Sequence, residues 1–139
     1  MKSRVTWIKD KMFTGQTESG HSIVIGTAEG EAPKPGPSAM ELVLLGAGSC
    51  SAWDVVEILR KGRQHVDDVV VDLDADRASE PPKVFTRIHL QFTVKGRALS
   101  PERVARAVSL SVEKYCSAIA ILEKSATVTH GFDLVEAGQ

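Results

Sequence analysis

The sequence predicts a mixed α+β fold, and three features carry that prediction. Residues from about 39 to 61 form one long apolar segment opened by a helix-capping signal, residues 69–76 and 84–95 alternate with the period of strands, and the residues after Ser100 show the stripe of an amphipathic helix. The order is strands, apolar helix, hairpin, amphipathic helix, strand. At 139 residues the chain has the length of a single domain, 1–139, able to bury a core without disulfide staples. Hydrophobic residues at 42% and charged residues at 25% are those of a globular protein, which argues against disorder and against collagen-like or coiled-coil architecture.

Residues 3–26 read as two or three short strands, with Gly15 and Ser19-Gly20 marking turns. Val5 and Trp7 share one side of the first strand, and His21, Ile23 and Ile25 share one side of the last. Thr27 to Ser38 contains Gly30, Pro33, Pro35, Gly36 and Pro37, a composition that suits neither a helix nor an interior strand and so predicts a surface connection. Ser38-Ala39-Met40-Glu41 is an S-x-x-E capping box, in which hydroxyl and carboxylate each satisfy a backbone N–H at a helix start. The helix it opens carries apolar residues on almost every side from Met40 to Leu59, which predicts burial all round. Gly46 and Gly48 each cost that helix up to about 1 kcal/mol relative to Ala, and predict a close backbone approach or a bend.

Val69, Val71, Leu73 and Ala75 then alternate with Val70, Asp72, Asp74 and Asp76. Val84, Thr86, Ile88, Leu90, Phe92 and Val94 alternate with Phe85, Arg87, His89, Gln91, Thr93 and Lys95. Glu80-Pro81-Pro82 joins the two as an antiparallel hairpin with one wet face. Ser100-Pro101-Glu102 starts the second helix, with Val104, Ala107, Val108, Ser111, Val112 and Tyr115 as its buried stripe. Cys116 comes directly after it, then a short apolar helical turn at 118–122 and a last strand at 128–135.

Seventeen Lys+Arg against eighteen Asp+Glu leave a net charge of -1, and the only basic block is Arg60-Lys61-Gly62-Arg63. The broad positive field of a nucleic-acid binder is missing. No unbroken apolar run reaches the about 20 residues of a membrane span. Met1-Lys2-Ser3-Arg4 leads into Val5-Thr6-Trp7-Ile8-Lys9-Asp10 rather than into a signal peptide's apolar stretch, so a cytoplasmic protein without a membrane partner is expected. Cys50 and Cys116 are too few for a disulfide scaffold and too far apart for a CxxC motif or a local zinc knuckle. With no HExxH spacing, GxSxG elbow, P-loop or GxGxxG fingerprint, no bound metal or cofactor is expected.

Gly36-Pro37-Ser38-Ala39-Met40-Glu41-Leu42-Val43-Leu44-Leu45-Gly46-Ala47-Gly48-Ser49-Cys50-Ser51-Ala52 resembles the first cysteine motif of the OsmC/Ohr family of osmotically inducible and organic hydroperoxide resistance proteins. Glu113-Lys114-Tyr115-Cys116-Ser117 resembles the second, and Ser19-Gly20-His21 also fits. The resemblance runs along nearly the whole chain and points to a divergent OsmC-like branch. It implies an OsmC-like fold, antiparallel curved sheets wrapped around buried central helices, in an intertwined homodimer. It also implies a thiol-dependent peroxidase that reduces organic hydroperoxides and draws on an external thiol reductant. By family position Cys50 attacks the peroxide as a thiolate and Cys116 resolves the sulfenic acid; a structural reading leaves both as ordinary buried thiols.

The resemblance further implies a carboxylate near the start of the buried helix that holds an arginine from the N-terminal strands against the thiolate. Glu41 is the corresponding acid, displaced by one position, and at about 100° per residue it lies opposite Cys50 on an unbroken helix. Residues 5–37 contain no arginine, which leaves Arg4, alongside Lys2, Lys9, Lys11 and Lys34. Glu41 therefore has two readings, cation holder or capping-box acid, and Arg4 is either its partner or a solvated residue at the chain start. These departures favour a second function: an OsmC-fold protein that binds a small apolar ligand between its core helices without redox turnover.

On an ideal helix the face of Cys50 also carries Trp53, Asp54 and Glu57. Two carboxylates disfavour a thiolate unless cations neutralise them, so Asp54 and Glu57 serve either the site or a dimer contact. Trp53 is expected in the core. His21 and His130 fall on apolar faces and read as structural, while His65 and His89 read as exposed.

Overall fold

Turn chemistry organises the N-terminal residues. The computed structural model describes residues 1–138 and divides into two compact units, Met1–Leu45 and Gly46–Gln139. In the first, β1 (Ser3–Lys9), β2 (Met12–Thr17) and β3 (Ser22–Gly26) form an antiparallel meander in that order. The first reversal is made by Asp10, at φ 47°, whose carbonyl accepts the Trp7 indole N–H at 2.9 Å. Gly15 lies inside β2, paired with Val5 and Ile23, rather than at a turn. A Cβ there would sit 3.1 Å from Ile25 Cδ1, so its bareness makes room for a neighbouring strand's side chain. His21 is exposed just ahead of β3, its carbonyl accepting the Thr17 N–H at 2.9 Å and its Nδ1 3.0 Å from Ser19 Oγ.

The Pro/Gly segment after β3 returns along that strand, with the Gly26 N–H donating to the Pro37 carbonyl at 3.0 Å. At Gly36 a Cβ would lie 2.3 Å from the Val24 carbonyl oxygen, a contact only glycine permits. The capping box forms as predicted: the Glu41 N–H donates to Ser38 Oγ at 3.2 Å, and the Ser38 N–H donates to Glu41 Oε1 at 3.3 Å. It opens α1 (Ala39–Lys61), which runs unbroken.

In the second unit, β4 (His65–Arg77) and β5 (Phe85–Arg97) are the predicted antiparallel hairpin. A register slip at Asp76/Arg77 changes the phase of β5 at its start, so Phe85 is buried and Val84 exposed. Beyond it Ile88, Leu90, Phe92 and Val94 are fully buried on one face, each worth about 1.5–3 kcal/mol of transfer free energy. The core draws Ala47, Val55 and Leu59 from α1, and Val104, Ala107 and Val108 from α2 (Pro101–Leu110). Ser100 caps α2 as predicted, its Oγ accepting from the Arg103 N–H.

Four further features depart from what the sequence predicts. The last strand, β6 (Thr127–Glu136), pairs with β5 in parallel, so the second sheet is mixed rather than wholly antiparallel. Its crossover through α2 and α3 (Ser117–Leu122) supplies the long connection that parallel pairing needs. Tyr115 is exposed rather than in the α2 stripe, because residues Ser111–Tyr115 form a π turn that widens the helix and rotates the residues beyond it. His89 is half-buried, with Nδ1 2.7 Å from Thr129 Oγ1 and Nε2 3.1 Å from Gln91 Oε1, because β6 covers the edge of β5 beside it. Finally, α1 is not buried all round in the single chain: Val43, Leu45 and Trp53 are exposed.

At Gly48 the close approach comes from the Leu73 side chain of β4, and nothing lies within 4 Å of a Cβ placed on Gly46. Although no continuous apolar run spans it, α1 is long and apolar enough, at a mean hydropathy of 1.6 over its most apolar window, to cross a membrane by length and composition.

Candidate active site

The buried stripe of α1 is built from small residues: Ala47, Gly48 and Ser51, then Val55 and Leu59 at helical spacing. Such a stripe lets a neighbouring segment approach closely, and the segment that does so carries Cys116. The π turn places Cys116 at its end, with the Cys116 N–H donating to the Ser111 carbonyl five residues back at 2.8 Å. Cys116 is 2% exposed, and its Sγ also accepts the Ile119 N–H at 3.5 Å at the start of α3.

Two serines lock this contact. Ser51, fully buried, has its Oγ 2.8 Å from the Ala47 carbonyl and 3.3 Å from Cys116 Sγ. Ser111, also fully buried, has its Oγ 2.9 Å from the Ser51 carbonyl and 3.2 Å from Asp54 Oδ2, so its single proton serves one acceptor at a time. Each hydroxyl is paired, as burial requires. The sequence reading missed both serines; the available signal was their position, Ser51 beside Cys50 and Ser111 on the predicted α2 stripe.

Cys50 is half-buried and Cys116 buried, and both are free thiols. Burial pushes the Cys116 thiol above its ordinary value of 9.0, the Ser51 hydroxyl and the Ile119 amide pull it down, and the neighbouring Cys50 adds to the upward shift. The two sulfurs therefore share one electrostatic environment. Cys116 is held as a neutral thiol at neutral pH, while Cys50 keeps a path to solvent. No Lys or Arg nitrogen is hydrogen-bonded to either sulfur among the described residues.

Glu41 and Arg4 both belong to the first unit, Met1–Leu45. Glu41 has its carboxylate on Lys34 as well as on Ser38, and these contacts, the Lys34 one foremost, hold it below the usual carboxylate range. Arg4 is exposed on β1, opposite Gln16, with no ion pair among the described residues. Asp54 is bound to Ser111, and Glu57 pairs with Lys61 at 3.9 Å along α1.

Trp53 is 70% exposed, not a core residue of the single chain, and it lines a cleft of about 420 Å³ with Ala52, Val56, Arg60, Val66 and Val69. Its position is set by α1, whose buried stripe is Ala47, Gly48, Ser51, Val55 and Leu59, leaving the indole on another face. His130 is half-buried, 3.5 Å from Glu113 Oε1, and His65 is exposed, both as expected. No cluster of His, Cys, Asp and Glu that could hold a metal ion occurs among the described residues.

A family model described as OsmC-like protein matches residues 29–131. Protein YhfA of Escherichia coli strain K12 is 48% identical over 137 residues, covering 99% of this chain and 100% of that protein. Among solved structures, a hypothetical protein from Aquifex aeolicus VF5 superposes with a TM-score of 0.87 at 28% identity, covering 99% of this chain and 97% of that one. The organic hydroperoxide resistance protein OhrB of Bacillus subtilis superposes with a TM-score of 0.63 at 14% identity, covering 96% and 98%, a likeness of fold. The two cysteine motifs, the α+β architecture and these matches agree: the chain belongs to the OsmC-like family.

Proposed function

We propose that this protein is a thiol peroxidase for organic hydroperoxides, acting as a homodimer in the cytoplasm. The observation that carries the reading is a half-buried Cys50 neighbouring a buried, hydrogen-bonded Cys116 that packs on the small-residue stripe of α1. The Cys50 thiolate attacks the outer peroxide oxygen, the O–O bond breaks, and the alkoxide leaves with a proton as an alcohol, giving a sulfenic acid. The Cys116 sulfur displaces that hydroxyl as water and forms the disulfide. Two equivalents of an external thiol then restore both cysteines and leave as their own disulfide. Fold neighbours named for organic hydroperoxide resistance support this chemistry.

The roles divide by burial. Solvent access suits Cys50 to meet the peroxide, and the protonated state of Cys116 keeps it from competing for substrate until a sulfenic acid forms beside it. The reciprocal hydrogen bonds of Glu41 with Ser38 support its capping-box role, and the cation its carboxylate holds is Lys34 rather than an arginine. We assign no step to Arg4.

A second reading, a binding protein for a small apolar ligand without redox turnover, is favoured by the Trp53 cleft and by the lack of a cation on either sulfur among the described residues. One experiment separates the two. Reduced protein is given cumene hydroperoxide with a dithiol as reductant, beside Cys50→Ser and Cys116→Ser variants. The peroxidase reading expects turnover that Cys50→Ser abolishes and that Cys116→Ser slows, with a trappable sulfenic acid. Turnover no greater than the dithiol's own background would leave the ligand-binding reading.

A further inference from the structure

The one basic block of the sequence, Arg60-Lys61-Gly62-Arg63, has no part in the sulfur site. It lies at the C-terminal end of α1, where a separate cleft of about 290 Å³ is lined by Ile58, Leu59, Gly62, Gln64, Arg103 and Arg106. At 1.5 Å rise per residue, Ile58 lies about 12 Å along the helix axis from Cys50.

The walls of this cleft are fixed by hydrogen bonds. Arg103 Nη1 donates to the Gly62 carbonyl at 2.7 Å, and the Ser100 N–H donates to Gln64 Oε1 at 2.9 Å. The α1 carbonyls beside it are already capped: Ile58 by the Gly62 N–H and Leu59 by the Gln64 N–H, both at 2.9 Å. Arg106 is therefore not consumed in ending the helix. Arg103 and Arg106 stand three residues apart, neighbours on the surface of α2. Glu102, the acid that could pair with Arg106 one turn away, receives the Ser100 hydroxyl at 3.0 Å instead. Arg60, Arg63, Arg103 and Arg106 have no ion pair among the described residues, in a chain whose net charge is -1.

We propose that this cleft binds a small amphiphilic carboxylate, its charged head between Arg103 and Arg106 and its apolar tail against Ile58 and Leu59. A guanidinium already oriented by Gly62, with its other N–H groups lacking a protein acceptor among the described residues, presents the planar fork that carboxylates match. Leu59 is 1% exposed and gives the cleft a closed apolar floor. The volume, at the small end of the about 300–1,000 Å³ of ligand sites, admits a short tail rather than a long acyl chain. This site stands apart from the cysteines and does not depend on their chemistry.

The test is calorimetric titration of the reduced full-length protein with sodium octanoate at low ionic strength, with 1-octanol, acetate and inorganic phosphate as comparison probes. Saturable one-site octanoate binding is expected. Octanol and acetate should each be weaker by about tenfold or more, since each lacks one half of the recognition. Arg106→Met should weaken octanoate by a similar factor with an unchanged thermal melt, because Arg106 is exposed and bonded to nothing that folding needs. Absence of saturable octanoate binding, equal binding by Arg106→Met, or octanol or phosphate binding as tightly as octanoate would each overturn the proposal.

Discussion

At the scale of single residues, Ser51 holds the sulfur site together, because its hydroxyl is the link between the α1 stripe and the Cys116 sulfur. Ser51→Ala removes a buried hydrogen bond worth about 0.5–1.5 kcal/mol, measurable in urea unfolding. The same change should push the Cys116 thiol further up and leave less thiolate at a given pH, since the Ser51 contact pulls it down; thiolate absorbance against pH in the Cys50→Ser background reads this directly. The pH dependence of stability has a definite sign. A thiol whose folded-state value stands above its unfolded one contributes stability fully present below the unfolded value and lost as pH rises toward the folded one. Stability should therefore decline above about pH 9, and Cys116→Ala should remove that part of the decline. A profile unchanged by Cys116→Ala would contradict the burial of an ionisable Cys116.

At the scale of elements, the π turn at Ser111–Tyr115 decides where Cys116 points. An uninterrupted α2 would put Tyr115 on the buried stripe, which is the placement that simple periodicity predicts. Deleting Lys114 should restore α-helical spacing, leave the α2 stripe of Val104, Ala107 and Val108 intact, and turn Cys116 off the α1 stripe. Helical content by circular dichroism should persist while peroxide-induced disulfide formation is lost; a disulfide formed as fast as in the wild type would contradict the role of the turn. The helices, their caps and both cysteines were legible in the sequence because capping boxes and apolar periodicity are local signals. The π turn, the phase slip at Phe85 and the parallel pairing of β6 were not. The strand slip and the parallel pairing depend on hydrogen bonds made between distant segments, and the π turn on an i→i+5 bond, Cys116 N–H to Ser111, that apolar periodicity does not encode. The serine lock was hidden for a related reason, since a serine beside a cysteine carries no pattern until burial makes its hydroxyl obligatory.

At the scale of the whole molecule, the apolar surfaces left open in one chain call for cover. Val5, Trp7 and Ile8 on β1, Val43 and Leu45 on α1, and Trp53 are all exposed, and the side of α1 bared at Gly46 faces open space. Singly exposed apolar residues are ordinary, but a helix apolar enough to cross a membrane and only partly buried needs a partner surface. The half-buried Asp54 and Glu57 within α1 make a second protein copy a better cover than lipid. Sedimentation equilibrium should therefore find a dimer of the 15.0 kDa chain at micromolar concentration, and Trp53→Glu should shift it toward monomer. A monomer throughout would contradict the homodimer.

Intact mass reads most directly whether Cys50 and Cys116 form one redox couple. Protein reduced under anaerobic conditions is mixed with one equivalent of an alkyl hydroperoxide, and its mass and free thiols are tracked in time beside Cys50→Ser. A redox couple predicts rapid loss of both thiols with a mass decrease of two hydrogens, absent in the variant. Slow oxidation that is the same with and without Cys50 would contradict it.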